Sequence, residues 1–435
     1  VLTWRFLALM LLAVPLIAAA TWLPGLDWLG LAYAAGVLAL AVLDWRLGPG
    51  RAQFELAREH EQRLSLGADN RVQLRLRSRA PRPVAVQLRD EPPVSFRVDR
   101  RVLAGTVAPR GELVLAYHAR PVRRGDYPFG DLNLRWRGPL GLVVRQARYP
   151  AAANVRVYPN LLDVRKYDLL LRRNQLFEMG LRHTRNLGQG TEFERLREYQ
   201  ADDEYRRIDW AATARRGRPI VREFETERSQ NVVALLDVGR MMQSPVGDMA
   251  KLDYAVNAVL LLAYVATRKG DRLGLLTFAD EVQGYLAPRP GRGQFYRMLE
   301  ALYAVAPQPV EPDFGRALGY LAVKLPRRAL VVLFTDLSGG LSSQTLVRHI
   351  ARLRPRHLPL VVTVADPAVV ELAEQRPADP AGVYARAAAE RLLDERRGLL
   401  ESLHRQGVLT LDVPAASLSI EVVQRYLDLK TRRQL

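Results

Sequence analysis

The stretch VVALLDVGRMM (232–242) is an apolar run that stops on one acid, Asp237, and then turns. An unbroken apolar run of this length suits a strand buried on both faces, as in a parallel sheet covered by helices, rather than a strand with one wet face. In many α/β domains a strand that ends on aspartate, with hydroxyl residues at the next two alternate positions, forms half of a magnesium site. Here those positions hold Gly239 and Met241. The stretch therefore sets a fold class and poses a chemical question: metal site, remnant of one, or plain strand end.

Working outward, LGLLTF (273–278), ALVVLFTD (329–336), LPLVVTV (358–364) and VLTLDV (408–413) read as further buried strands. Residues 251–270, 293–305, 314–325, 343–353 and about 385–403 carry helical spacing between them. Alternating strands and helices predict an α/β doubly wound, mostly parallel sheet over 231–435, closed by a C-terminal helix. LTFADEVQGYLAP adds a hairpin at one edge, turning at Asp280 and Glu281.

Upstream the period changes to two. RVQLRLRS, PVAVQLRD, ELVLAYHA and DLNLRWRG alternate apolar and polar residues between Pro and Gly turns, which predicts an antiparallel β-sandwich over 47–160. Residues 161–230 form a junction dense in both charges yet punctuated by Tyr199, Tyr205, Ile208 and Trp210. Interleaved charges and aromatics suit a salt-bridged, partly buried collar, because a buried charge is tolerated only when paired. Glu192, Arg197, Asp209 and Arg215 are expected to form its salt bridges, and Trp210 and Tyr199 to be core anchors.

At the start of the chain, Phe6–Leu26 and Trp28–Leu43 hold no charge apart from Asp27 between them, with LPGLD (23–27) as a turn. Each stretch is about one hydrocarbon core thickness as a helix, so 1–46 is expected to be a two-helix transmembrane hairpin. Trp4 and Trp45 would lie at one interface and Trp22 and Trp28 at the other. Arg5, Arg46, Arg51 and Arg58 flank the hairpin, which predicts both ends, and all soluble parts, on the cytoplasmic side of the inner membrane. A cleaved signal peptide ending near AAA (18–20) is the alternative.

Composition removes several chemistries. There is no cysteine, and the six histidines include no i, i+4 pair, which argues against zinc and thiol sites. No P-loop, GxSxG elbow or histidine-centred triad occurs, and GRGQ (291–294) is only half of a dinucleotide fingerprint. The net charge is +18, with 22 Arg against 11 acidic residues over 44–160. This basic segment can rest on anionic membrane lipids or remain a solvated face. The junction is nearly neutral, so no nucleic-acid partner is expected there.

GTEFERLREYQADDEYRRIDWAATAR and VREFETERSQNVVALLDVGRMM, with RGDYPFGDL, GPLGLV, VYPNL and QRYLDLK, resemble the signature of the domain of unknown function 58 family. The resemblance implies a membrane-anchored protein with a von Willebrand factor A-like domain at the carboxyl end, and a MoxR-type AAA+ ATPase as partner. It also implies metal-type positions at Asp237, Asp336 and Asp313, with hydroxyls where Gly239, Met241 and the neighbourhood of Pro312 supply none. A degenerate site without cofactor is expected, Arg240 or Arg316 neutralising the carboxylates; magnesium, with water completing its shell, is the competing arrangement. The expected function is a non-enzymatic interaction or adaptor protein acting with that ATPase in protein assembly or maturation. The alternatives are a metal-dependent hydrolase, built on the three aspartates or on Asp202, Asp203 and Glu204, and a nucleic-acid-binding membrane protein.

Overall fold

The structure is a computed structural model that describes the chain apart from residues 20–25, 161, 165, 167–191, 201–204, 206–207, 226–228, 338–339, 378 and 433–435. It comprises two compact units, Val1–Tyr158 and Pro159–Leu435.

In the first unit three helices precede the strands: α1 (Trp4–Leu11), α2 (Ala13–Ala19) and α3 (Leu26–Leu47). Among the described residues, only Trp28–Leu47 is long and apolar enough to cross a membrane. The first apolar segment, expected as one continuous helix, is instead divided at Leu12. Pro15 lies in the first turn of α2, where its missing N–H costs least, so the proline favours a fresh helix start there. The two segments still pack closely: a Cβ on Gly30 would come within 2.5 Å of Ile17 Cγ1. Trp22 and the turn at Pro24 and Gly25 lie outside the described residues.

Eleven strands follow: β1 (Phe54–Glu59), β2 (Arg63–Ser65), β3 (Asn70–Ser78), β4 (Val84–Asp90), β5 (Phe96–Val98), β6 (Val102–Val107), β7 (Glu112–Pro121), β8 (Gly125–Phe129), β9 (Leu132–Arg137), β10 (Val144–Tyr149) and β11 (Ala153–Tyr158). They make antiparallel sheets β1-β3-β7-β5 and β10-β9-β4-β6, with a small sheet β2-β11-β8 in which β2 runs parallel to β11. The period-two pattern puts Val72, Leu74, Leu76, Val86, Leu88, Leu134 and Trp136 inside. A charged cluster enters this core. Arg58 donates to Asp90 from Nε at 2.9 Å and to the Gly130 and Ala151 carbonyls, while Tyr117 donates to the same carboxylate at 2.7 Å. Arg58, expected as a flanking surface charge, is thus a buried, fully paired group, and burial beside Asp90 raises the Tyr117 pKa.

One acid is central to the joint between the helices and the sandwich. Asp44, in the last turn of α3 and fully buried, accepts hydrogen bonds from the backbone N–H groups of Leu140, Leu142 and Val143 at 2.6, 2.8 and 2.9 Å. The approach leaves no room for a side chain at residue 138, where a Cβ would lie 2.4 Å from Asp44 Oδ1. Phe6, Val37, Ala41, Leu142 and Val143 close an apolar cluster around the joint.

The second unit opens with β12 (Glu192–Glu198), α4 (Trp210–Arg216) and β13 (Ile220–Glu225), the two strands pairing antiparallel. Asp209 caps α4, and Gly217 ends it with a φ of +67°, a conformation that favours glycine. Then come β14 (Asn231–Asp237), the short pair β15 (Pro245–Val246) and β16 (Met249–Ala250), α5 (Lys251–Arg268), β17 (Arg272–Phe278), β18 (Val282–Arg289), α6 (Arg292–Ala304), α7 (Phe314–Lys324), β19 (Ala329–Phe334), α8 (Gly340–Ile350), β20 (Leu358–Ala365), α9 (Pro367–Glu374), α10 (Pro380–Arg405), β21 (Leu409–Pro414) and α11 (Leu418–Thr431). The sheet order is β18-β17-β14-β19-β20-β21, parallel except for the edge strand β18, which turns back from β17 through the expected hairpin.

Helices cover both faces of this sheet. Phe314, Leu318, Leu346, Ile350 and Leu403 from α7, α8 and α10 pack on Val233, Leu235, Val331 and Leu333. α5 lies against β14 and β17 from the other side, with α6 and α11 beside it, which is why its sequence is apolar nearly all round. Within QRYLDLK, Tyr426 and Lys430 stand one helical turn apart and both donate to the buried Asp271, Lys430 at 2.6 Å. That pair fixes α11 against the strand end before β17.

Candidate functional site

The parallel register of β14 and β19 brings Asp237 and the Thr335–Asp336 step to the same end of the sheet. Open α/β sheets present their ligand crevice at the carboxyl ends of the strands, at this kind of position. Asp237 is 1% exposed; its Oδ1 accepts from the Gly239 N–H at 2.7 Å and its Oδ2 from Thr335 Oγ1 at 2.6 Å. Burial pushes its carboxyl up to about 6, with those two hydrogen bonds opposing the shift and the charges of Asp336 and Glu311 adding to it.

Asp336 meets two cations. Lys251 Nζ, in the first turn of α5, lies 2.8 Å from Oδ2, and Arg396 Nη1, from α10, lies 3.2 Å from Oδ1. The same guanidinium reaches on to Asp412 on β21, from Nε at 3.1 Å and Nη2 at 2.5 Å, and Thr363 on β20 donates to Asp412 at 2.8 Å. Burial works against the charge of Arg396, yet Asp412 and Asp336 raise its pKa. The Lys251 and Asp336 side chains are 9% and 3% exposed, so this pair is sealed from water. Two cations balance two carboxylates, and Asp237 stands beside them held by neutral donors.

The expected neutralising residues are corrected by this geometry. Arg240 pairs with Glu311, and Arg316 with Glu281 at 3.0 Å; it is Lys251 and Arg396 that meet the strand-end acid. Asp313 is exposed and caps α7, accepting from the Arg316 N–H at 2.9 Å. Among the described residues no group of three acidic or histidine side chains is placed to hold a metal ion. The residues present do not fit magnesium, which demands near-octahedral oxygen at about 2.0–2.1 Å. Both oxygens of Asp336 face fixed positive charge that would repel a divalent ion, and both oxygens of Asp237 are engaged. The position of the first absent hydroxyl is sterically closed as well: a Cβ on Gly239 would lie 2.9 Å from the Val310 carbonyl oxygen and 3.0 Å from Asp237 Oδ1.

In the junction the outcome is mixed. Glu192 and Arg197 lie on β12, paired in register with Glu225 and Val221, and their side chains are outside the described residues, as are Asp202, Asp203 and Glu204. Asp209 caps α4 by accepting from the Ala211 and Ala212 N–H groups at 3.0 Å, and Arg215 donates to the Ala211 carbonyl at 3.2 Å. Tyr199 packs on Tyr205 with ring centroids 5.7 Å apart. Trp210 is not a core anchor: it is 69% exposed, because the cap at Asp209 places it in the first turn, while Ala212 takes the inner face of α4.

A family model described as "Protein of unknown function DUF58" matches residues 195–379. This segment of the chain belongs to the DUF58 family. The DUF58 segment contains Asp237, Lys251, Asp313 and Asp336, whereas Arg396 and Asp412 lie beyond its end. Among curated relatives, the uncharacterized protein Rv1480 of Mycobacterium tuberculosis is 31% identical over 187 residues, 42% of this chain and 58% of the relative's length. The uncharacterized protein YeaD of Bacillus subtilis is 28% identical over 127 residues, 29% of this chain and 31% of YeaD. This chain thus spans 58% of the length of the first of these relatives and 31% of the second. Solved structures aligned to it include a PapD-like domain of human CEP192, at a TM-score of 0.19 and 13% identity over 25% of this chain and 86% of that one. Another is proximal thread matrix protein 1 from the mussel byssus, at 0.27 and 12% identity over 45% and 44%.

Proposed function

We propose that this DUF58 chain is a membrane-anchored, non-enzymatic adaptor whose α/β unit docks a protein partner. The observation that carries this reading is the ion pair of Lys251 and Asp336, extended by Arg396 to Asp412. A tethered ammonium stands where a metal-dependent site would need a free oxygen, which leaves the strand ends as a shaped surface without Lewis-acid chemistry. The strand order with one antiparallel edge, and aspartates closing two adjacent parallel strands, support assigning 231–435 to the von Willebrand A-like class. The exposed Trp210 supports docking through the junction, since aromatic side chains of this kind anchor protein interfaces.

The apolar α3, with α1 and α2 folded back on it, supports anchorage as a helical hairpin in the inner membrane, with both units on the cytoplasmic side. On the family resemblance, the partner is a MoxR-type AAA+ ATPase and the process protein assembly or maturation. Nucleic-acid binding has less support, because several sandwich arginines are spent on carboxylates: Arg75 on Glu59 and Glu112, Arg79 on Glu55, and Arg148 on Asp131. The test is purification of the full chain from its own membranes in mild detergent. The reading expects an AAA+ ATPase to co-purify, and repeated recovery of the chain without one would overturn it.

A further inference from the structure

A cavity of about 630 Å³ opens where the helices meet the sandwich, at the α1 start and α3 end. Four arginines line it: Arg5 on α1, Arg46 on α3, Arg82 in the turn before β4 and Arg137 at the end of β9. No acidic side chain is among its lining residues. None of the four makes an ion pair or hydrogen bond among the described residues, unlike Arg58, Arg75, Arg79 and Arg148 of the same unit. Four unneutralised guanidinium groups converging on one cavity repel one another, and a multiply hydrogen-bonding anion is the ligand that relieves this; phosphate oxygens suit the planar fork of arginine.

The surroundings select the source of the phosphate. Trp4 and Trp45, 71% and 51% exposed, flank the same end of the helices, at the level where aromatic rings sit between hydrocarbon and water. Leu47 and Leu140 are exposed at the cavity's rim, and the apolar surface of α3 leads away from it through Leu43 and Leu40. The site is composite: two arginines come from the helices and two from the sandwich, and Asp44 locks the 138–143 loop that carries the rim. Gly141, at φ +72°, lets the Arg5 guanidinium lie across the loop, where a Cβ would meet Nη1 at 3.2 Å.

We propose that this cavity binds the phosphodiester headgroup of an anionic glycerophospholipid, its acyl chains lying along α3. The proposal rests on the membrane-anchor reading and goes beyond it, because it turns a general basic face into a single stoichiometric site. Basic pockets at the cytoplasmic level of membrane helices are suited to such headgroups.

The experiment is native mass spectrometry of the full chain released from bilayers of equal phosphatidylglycerol and phosphatidylcholine, with carbonate extraction of the same membranes run in parallel. The expected result is one retained phosphatidylglycerol per chain. The double variant Arg82→Gln/Arg137→Gln, which alters only exposed sandwich residues, is expected to lower that retention about thirtyfold while the chain stays carbonate-resistant. The control Arg100→Gln/Arg101→Gln removes the same charge elsewhere on the sandwich and should change nothing. Equal retention of both lipids, an equal loss in the control, or displacement of the lipid by millimolar inorganic phosphate would each overturn the lipid site. Release of the wild-type chain by carbonate would overturn the anchor reading, and the proposal with it.

Discussion

Asp237 is the residue whose titration distinguishes a metal-free site from a metal site. Its carboxyl is raised by burial to about 6 from an ordinary 3.8, so the stability it lends is complete below 3.8 and is lost as pH rises through 6. An asparagine in its place can accept from the Gly239 N–H and donate to Thr335, and it carries no charge to desolvate. Asp237→Asn is therefore expected to stabilise the fold by on the order of 2–3 kcal/mol at pH 8 and to be nearly neutral at pH 4, read from denaturant unfolding at the two pH values. A destabilised variant at pH 8 would contradict the account. The two strand-end aspartates were legible in the sequence because each closes an apolar run. Their partners were not, since Lys251 and Arg396 stand 85 and 60 residues from Asp336 and only the folded sheet brings them there. One signal pointed to Lys251: a lysine in the first turn of a helix opposes the helix dipole and calls for a nearby acid.

Among the elements, α3 and the 138–143 loop behave as one piece because Asp44 ties them. Asp44→Ala leaves three buried backbone N–H groups unpaired, and a loss of about 3 kcal/mol or more is expected in the unfolding of the full chain in detergent. Gly138→Ala should cost a comparable amount for the opposite reason, since the added methyl collides with the Asp44 carboxylate. If both variants unfolded like the wild type, the joint would be looser than described. The sequence made the sandwich and the α/β sheet legible through their periods of two and of alternating strands and helices. It missed the division of the first apolar segment, and it assigned no helix to α9 or to the start of α10. Both starts carried a usable mark, an aspartate cap followed at once by proline: Asp366–Pro367 and Asp379–Pro380.

The whole molecule carries apolar N-terminal helices, a sandwich, and an α/β unit whose strand ends are held by fixed cations. Trp210 was read as core because aromatics between paired charges are commonly buried; the short helix α4 is too small to cover both of its faces. If the exposed Trp210 docks the proposed ATPase partner, Trp210→Ala is expected to reduce its co-purification about tenfold or more while leaving the unfolding midpoint within a degree or two, a split that a core tryptophan would not give. Lys251 and Arg396 occupying the place of a divalent ion at the strand ends can be checked by calorimetric titration of magnesium into the full chain in detergent. No saturable heat is expected up to millimolar magnesium. Saturable binding at micromolar concentration that disappears in Asp237→Ala would contradict it.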